Sequence, residues 1–117
     1  MTTLIVCIRR KPGMTQQEFS SYWRDLHGPL IQGCADFKRH LASYVQYHAA
    51  DSNSEIARMF GVSGDYDGVA VLRFHDEQAL RDAFAEPAYL AQIRPDEPNF
   101  VDLEKSLVIM AEPAVMI

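Results

Sequence analysis

The chain has 117 residues, 48% of them hydrophobic and 23% charged, the balance of one ordinary globular domain around one core. Its net charge of -5, with acids and bases intermixed, leaves no basic stripe for nucleic acid and no polybasic segment for anionic lipid, so neither partner is expected. The longest apolar run near the start, "LIVCI", is too short for a signal-peptide core or a membrane span and is followed rather than preceded by "RRK", so a cytoplasmic chain is expected.

"TLIVCIRR" (Thr3 to Arg10) is rich in β-branched residues and is closed by the turn signal "KPG", which predicts a first strand. Thr15 followed by Glu18 is a capping-box pattern that opens a helix. Along it Trp23, Leu26 and Leu30 fall within about 40° of Phe19 on a regular helical wheel, a narrow stripe expected to face a sheet. Gly28 and Pro29 are expected to end or bend this helix, and a polar turn to follow. "LASYVQYH" (Leu41 to His48) predicts the second strand, with Ala42, Tyr44, Gln46 and His48 on one face and Leu41, Ser43, Val45 and Tyr47 on the other. Next comes the hydrophilic insertion "AADSNSEIARMFGVSGDY", whose centre fits a short helix capped by Ser54 and closed by Gly61. "DGVAVLRF" (Asp67 to Phe74) predicts the third strand, and Asp76 can cap a helix from about Glu77 to Phe84. Pro87, Pro95 and Pro98 divide the following stretch into short helical pieces, and "SLVIMA" (Ser106 to Ala111) completes four strands.

The order β-α-β-β-α-β is the ferredoxin-like split motif, an α+β fold with two helices on one face of a four-stranded antiparallel sheet. Both alternating sets in the strands are apolar: Leu4, Val6 and Ile8 oppose Ile5 and Cys7, and Leu107 and Ile109 oppose Val108 and Met110. Two helices cover only one face, so the other requires a cover, and a second copy of the same sheet is the economical one. The expected assembly is a homodimer joined sheet to sheet. Cys7 and Cys34 form no CxxC pair or metal-ligand spacing, so free thiols are expected.

Three stretches carry a resemblance: "RRKPGMTQQEFSSYWRDLHGPL" (Arg9 to Leu30), "DGVAVLRFHDEQALRDAFAEPAY" (Asp67 to Tyr89) and "FVDLEKS" (Phe100 to Ser106). Together they resemble the EthD-like family of the dimeric α+β barrel superfamily, over most of the chain, which makes residues 1–117 one such domain. The resemblance implies a place among proteins for the breakdown of small organic compounds, or, as in fungal relatives, in aromatic polyketide pathways with cyclase-like or dehydratase-like enzymes. Superfamily relatives also include cofactor-free monooxygenases, lactone isomerases and haem-binding enzymes, so the fold leaves the reaction open.

His27 stands about 80° from Phe19 on the regular wheel, on one margin of the stripe and in the expected last turn before Gly-Pro, and Tyr22 about 60° from Phe19 on the other margin. Read from the residues, His27 is either a helix-end side chain that meets the last carbonyls or a cavity acid/base. It belongs to the family's motif, and the resemblance implies the second role, with a partner that orients it but that the sequence does not identify. Tyr22, Trp23, Tyr44, Gln46 and His48 are the candidate walls of a substrate pocket, and the same polar alternation also fits a wet strand near a sheet edge. Asp67 matches the family's "DG" and is a candidate pocket residue as well as a turn former. His75 and Asp76 are expected to cap, and Asp102 to tie its loop to the fold. The four histidines, His27, His40, His48 and His75, show no HxH or HxxxH spacing, "GVSGDYDG" lacks the context and lysine of a phosphate loop, and no GxSxG elbow is present. The expectation is a protein without metal or other cofactor, acting on or handing over a hydrophobic, aromatic or carbonyl-bearing metabolite.

Overall fold

Four strands form one antiparallel sheet, and the intervening helical segments carry the chain across it. The computed structural model describes residues 1–50, 52–62 and 64–117, so Asp51 and Ser63 of the insertion lie outside the described residues. The strands are β1 (Thr2–Ile8), β2 (Leu41–His48), β3 (Gly68–Phe74) and β4 (Leu107–Ala111), in the order β2-β3-β1-β4. This is the ferredoxin-like arrangement, with Leu4 opposite Leu72 and Met110, and Val6 opposite Ala70 and Val108. The side chains facing the helices make the core, in which Trp23, Phe19, Phe37, Phe74, Phe100 and Ile93 are fully buried.

Helix α1 (Gln16–Tyr22) begins at the expected capping box: Thr15 Oγ1 accepts from the Glu18 amide at 3.1 Å while Glu18 Oε1 accepts from the Thr15 amide at 3.0 Å. The helix does not end at Gly-Pro. It widens into a π-helical turn over Trp23–His27, where the Gly28 amide bonds the Trp23 carbonyl, and runs on as α2 (Gly28–Gly33). Pro29 has no N–H to send back to Asp25, so the irregular turn sacrifices little there. α3 (Ala35–Lys38) then occupies what was expected to be a polar turn.

The wide turn inserts one residue into the helical repeat and rotates the inward face. Phe19 and Trp23 are buried as expected, but Leu26 is 57% and Leu30 36% exposed, and His27 and Ile31 take the core positions at 6% each. A regular wheel placed Leu26 and Leu30 inside because it carries no π-turn. β2 holds a second irregularity: between Leu41 and Ser43 the register slips by one residue. That bulge turns Leu41 to the core side with Tyr44, against the simple alternation.

α4 (Glu55–Met59) starts at Ser54, whose hydroxyl accepts from the Ala57 amide, and α5 (Glu77–Ala85) starts at Asp76, which accepts from the Ala79 amide at 2.8 Å. The proline-divided stretch forms a second π-turn over Tyr89–Ile93 and a 3-10 helix over Arg94–Asn99. Asp102 ties its loop down through its amide to the Arg9 carbonyl and its carboxylate to the Lys105 amide. Cys7 and Cys34 are unpaired. Among the described residues no helix is long and apolar enough to cross a membrane.

Candidate functional site

Between the helix-side face of the sheet and the helical layer lies a cavity of about 270 Å³. Its sheet wall is apolar (Leu4, Val6, Leu72 and Val108), and Trp23, Ile31 and Phe100 close the helical side. The polar groups that reach it are few: His27, Tyr44, Tyr89, Glu97 and Ser106. No Lys or Arg is among the described residues that line it. Such a chamber favours an uncharged, hydrophobic guest, since an anion would find no cation to offset its desolvation. An empty apolar cavity of about 150 Å³ already holds benzene, so one or two rings fit here.

His27 enters the cavity because the π-turn carries it inward. Its ring lies 4.8 Å from that of Phe100, and its Nδ1 meets Asp96 Oδ2 at 2.9 Å. The other Asp96 oxygen accepts from the Tyr22 hydroxyl at 2.5 Å and from Asn99 Nδ2 at 3.1 Å. Burial works to raise the Asp96 carboxyl, but the hydrogen bonds from Tyr22, His27 and Asn99 outweigh it and hold the group below its ordinary value. An ionised carboxylate can only accept, so neutral His27 carries its proton on Nδ1 and leaves Nε2 as a lone pair on a ring that lines the cavity. The same bond pushes the Tyr22 hydroxyl up, with partial burial adding to it.

A second polar group at the wall is Tyr44, on β2. Gln46 Nε2 lies 2.8 Å from the Tyr44 hydroxyl and 3.0 Å from the Trp23 carbonyl, and Gln46 Oε1 lies 2.9 Å from His48 Nε2. His48 Nδ1 bonds the Ser20 hydroxyl, and its ring packs 4.7 Å from the Trp23 indole. Gly28 makes this possible, because a Cβ there would stand 3.1 Å from Gln46 Nε2 and 3.4 Å from the Trp23 carbonyl oxygen. Gln46 therefore pins the wide turn that delivers His27. Burial pushes the Tyr44 hydroxyl up, and the hydrogen bonds from Gln46 and the Trp23 indole only partly offset it. Burial, with the nearby Arg24 charge, holds the His48 imidazole below its ordinary value.

Of the residues singled out in the sequence, His27, Trp23 and Tyr44 line the cavity. Tyr22 serves it through Asp96, and Gln46 and His48 stand behind Tyr44 rather than at the wall. Asp67 is elsewhere. It is buried and clasps Arg10, taking the Arg10 amide at 2.8 Å and Nη1 at 2.7 Å, a structural role set by the turn before β3. The neighbouring Gly68 has its own reason, since a Cβ there would come within 2.4 Å of the Trp23 ring. Asp96, Glu97 and Asn99 went unread in the sequence. Glu97 accepts from the Tyr89 hydroxyl at 3.0 Å, and burial together with the Glu97 charge pushes that hydroxyl well up. The signal available for them was "RPDEPN", two acids between two prolines that hold a tight 3-10 turn against the cavity. Among the described residues no three His, Cys, Asp or Glu side chains converge in a way that could hold a metal ion.

Comparison with known proteins agrees with this architecture. The chain is similar to "Dehydratase ustZ" of Ustilaginoidea virens, 22% identical over 106 residues that cover 86% of this chain and 75% of that protein. It is also similar to "Conidial pigment biosynthesis dehydratase EthD" of Metarhizium robertsii, 24% identical over 111 residues that cover 88% of this chain and 75% of that one. Among solved structures, an ethyl tert-butyl ether d (ethd) family protein from Bacillus halodurans superposes with a TM-score of 0.69 at 14% identity, over 97% of this chain and all of the other. The sequence signature of the EthD domain matches residues 11–104, most of the chain including Tyr22, His27 and Asp96, and the chain belongs to that family.

Proposed function

We propose that the chain is a dehydratase-type enzyme that eliminates water from a small, uncharged, hydrophobic metabolite bound between sheet and helices. The observation that carries this reading is His27, oriented through Nδ1 by Asp96 and lining an apolar cavity that has no cationic lining residue among those described. Elimination needs a group that first takes and then returns a proton, and an imidazole fixed in one tautomer by a carboxylate does both. In the step, His27 Nε2 takes a proton from carbon, the C–H electron pair forms the new C=C bond, and the neighbouring C–O bond breaks. The leaving oxygen departs as water after the imidazolium returns the proton, so the enzyme ends as it began. The names of the two fungal relatives favour the same reaction class in a biosynthetic pathway.

The working form is a homodimer closed through the sheet. The face turned from the helices presents Ile5, Cys7, Val69 and Val71 half-buried, with Val45, Tyr47 and Ile109 exposed, which is more contiguous apolar surface than a monomer keeps in water.

The test is turnover of small cyclic β-hydroxy ketones, followed by the ultraviolet band of the conjugated enone. His27→Gln should keep fold and cavity while slowing turnover by about 10²- to 10⁴-fold, the usual contribution of a general base. Turnover by the folded variant at the wild-type rate would overturn the reading. A wild-type protein that binds such compounds without converting them would instead make the cavity a carrier's.

A further inference from the structure

The hydrogen-bond chain behind Tyr44 has a direction that the atoms themselves dictate. The Trp23 carbonyl can only accept, so the Gln46 atom 3.0 Å from it must be the NH2 group, and Oε1 must be the atom that faces His48. His48 Nε2 therefore donates to Gln46, and Nδ1 of the neutral ring accepts from the Ser20 hydroxyl. The second Gln46 proton goes to the Tyr44 oxygen at 2.8 Å, so Tyr44 accepts there. No hydrogen bond from its own proton is formed to any described residue, and Tyr44 lines the cavity.

We infer that Tyr44 is a committed hydrogen-bond donor to an oxygen of the bound molecule, which makes the substrate an enolisable carbonyl compound, a β-hydroxy ketone rather than a simple alcohol. The inference rests on the dehydratase reading and deepens it. A base and a spare O–H lining the same cavity suit a molecule whose C–H acidity comes from an adjacent C=O. As His27 Nε2 takes the proton from the α carbon, the C–H pair moves into the C–C bond and the carbonyl pair onto oxygen, where Tyr44 meets the growing charge. The enolate then collapses: the oxygen pair re-forms C=O, the enolate C=C pair moves between the α and β carbons as the new double bond, and the C–O bond to the β hydroxyl breaks, the oxygen leaving as water with the proton from His27. Donors aimed at such an oxygen in a water-poor site are worth most in the transition state. Gln46 is a positioning residue, since it acts through Tyr44.

4-Nitrophenol mimics the enolate, with an oxygen that carries charge next to a ring, and 4-nitrotoluene is its match without that oxygen. Wild-type protein should bind both, and Tyr44→Phe should weaken 4-nitrophenol by roughly ten- to a hundredfold, the loss of one bond to a charged oxygen, while leaving 4-nitrotoluene unchanged. Binding of 4-nitrophenol to the wild type should also bring up a strongly downfield proton resonance, a readout that needs no variant. Gln46→Met should shift that resonance upfield with 4-nitrotoluene affinity unchanged. Equal 4-nitrophenol affinity for wild type and Tyr44→Phe, or no downfield proton in the wild-type complex, would overturn the inference and leave the His27 base standing. Failure of both compounds to bind wild-type protein would overturn the inference together with the cavity reading beneath it.

Discussion

The π-turn can be tested without a substrate, because it exchanges the burial of two leucines for that of His27 and Ile31. Ile31→Ala should be costly and Leu26→Ala cheap. Deleting a buried isoleucine costs about 2–5 kcal/mol, and the low end applies here because Ile31 already borders a cavity and loses fewer contacts. Leu26 is 57% exposed, so less than half of the roughly 1.5–3 kcal/mol available from burying a leucine is at stake. Alanine is also the better helix former, which leaves a net cost of about 0.5–1 kcal/mol. Urea unfolding followed by tryptophan fluorescence at one fixed protein concentration should move the midpoint by about 1–2 M for Ile31→Ala and under about 0.7 M for Leu26→Ala, for a slope near 1.5 kcal/mol/M. The reverse order, with Leu26 the costly site, would mean a regular helix with His27 at its margin, and the placement of the base would fall with it.

Asp96→Asn should lower turnover by at least about tenfold and alter the pH profile, because the amide no longer accepts in one fixed sense and the His27 tautomer is set free; an unchanged profile would assign Asp96 to packing alone. His48 is held below its ordinary 6.5, so between its folded value and 6.5 the unfolded chain binds more protons than the folded one. Stability should be complete above about pH 7 and fall as the pH drops through that window, and His48→Gln should flatten the slope seen in urea midpoints; an equal slope in the variant would locate the acid sensitivity elsewhere. Light scattering across a dilution series should give twice the chain mass, and a folded monomer at micromolar concentration would contradict the sheet-to-sheet dimer.

The fold was legible because its signals are local. Thr15 and Glu18 cap a helix, Asp76 caps another, and the alternation in "LASYVQYH" and the apolar run in "GVAVLRF" mark strands. What escaped the sequence are the places where the chain leaves its regular period. One extra residue in the turn over Trp23–His27 and one slipped register at Leu41 each reverse which side chain faces inward, and neither changes composition or spacing. Asp96 escaped for another reason: it lies 69 residues from His27, in one of the short helical pieces between prolines, where no spacing ties it to that histidine until the fold brings the two together. Asp67 was legible as a turn residue, and its reach to Arg10 rather than to the cavity follows from the strand ends it joins.

The central claim is that His27 presents a bare Nε2 to the cavity, and nitrogen-15 NMR of the histidine rings at a pH where they are neutral reads this directly. His27 should appear as the Nδ1–H tautomer, fixed by Asp96, and His48 as the Nε2–H tautomer, fixed by Gln46. Addition of 4-nitrophenol should move the His27 Nε2 resonance towards that of a protonated nitrogen and leave the His48 pair of resonances in place. A His27 ring found as Nε2–H, or one indifferent to a ligand that binds the cavity, would contradict the account.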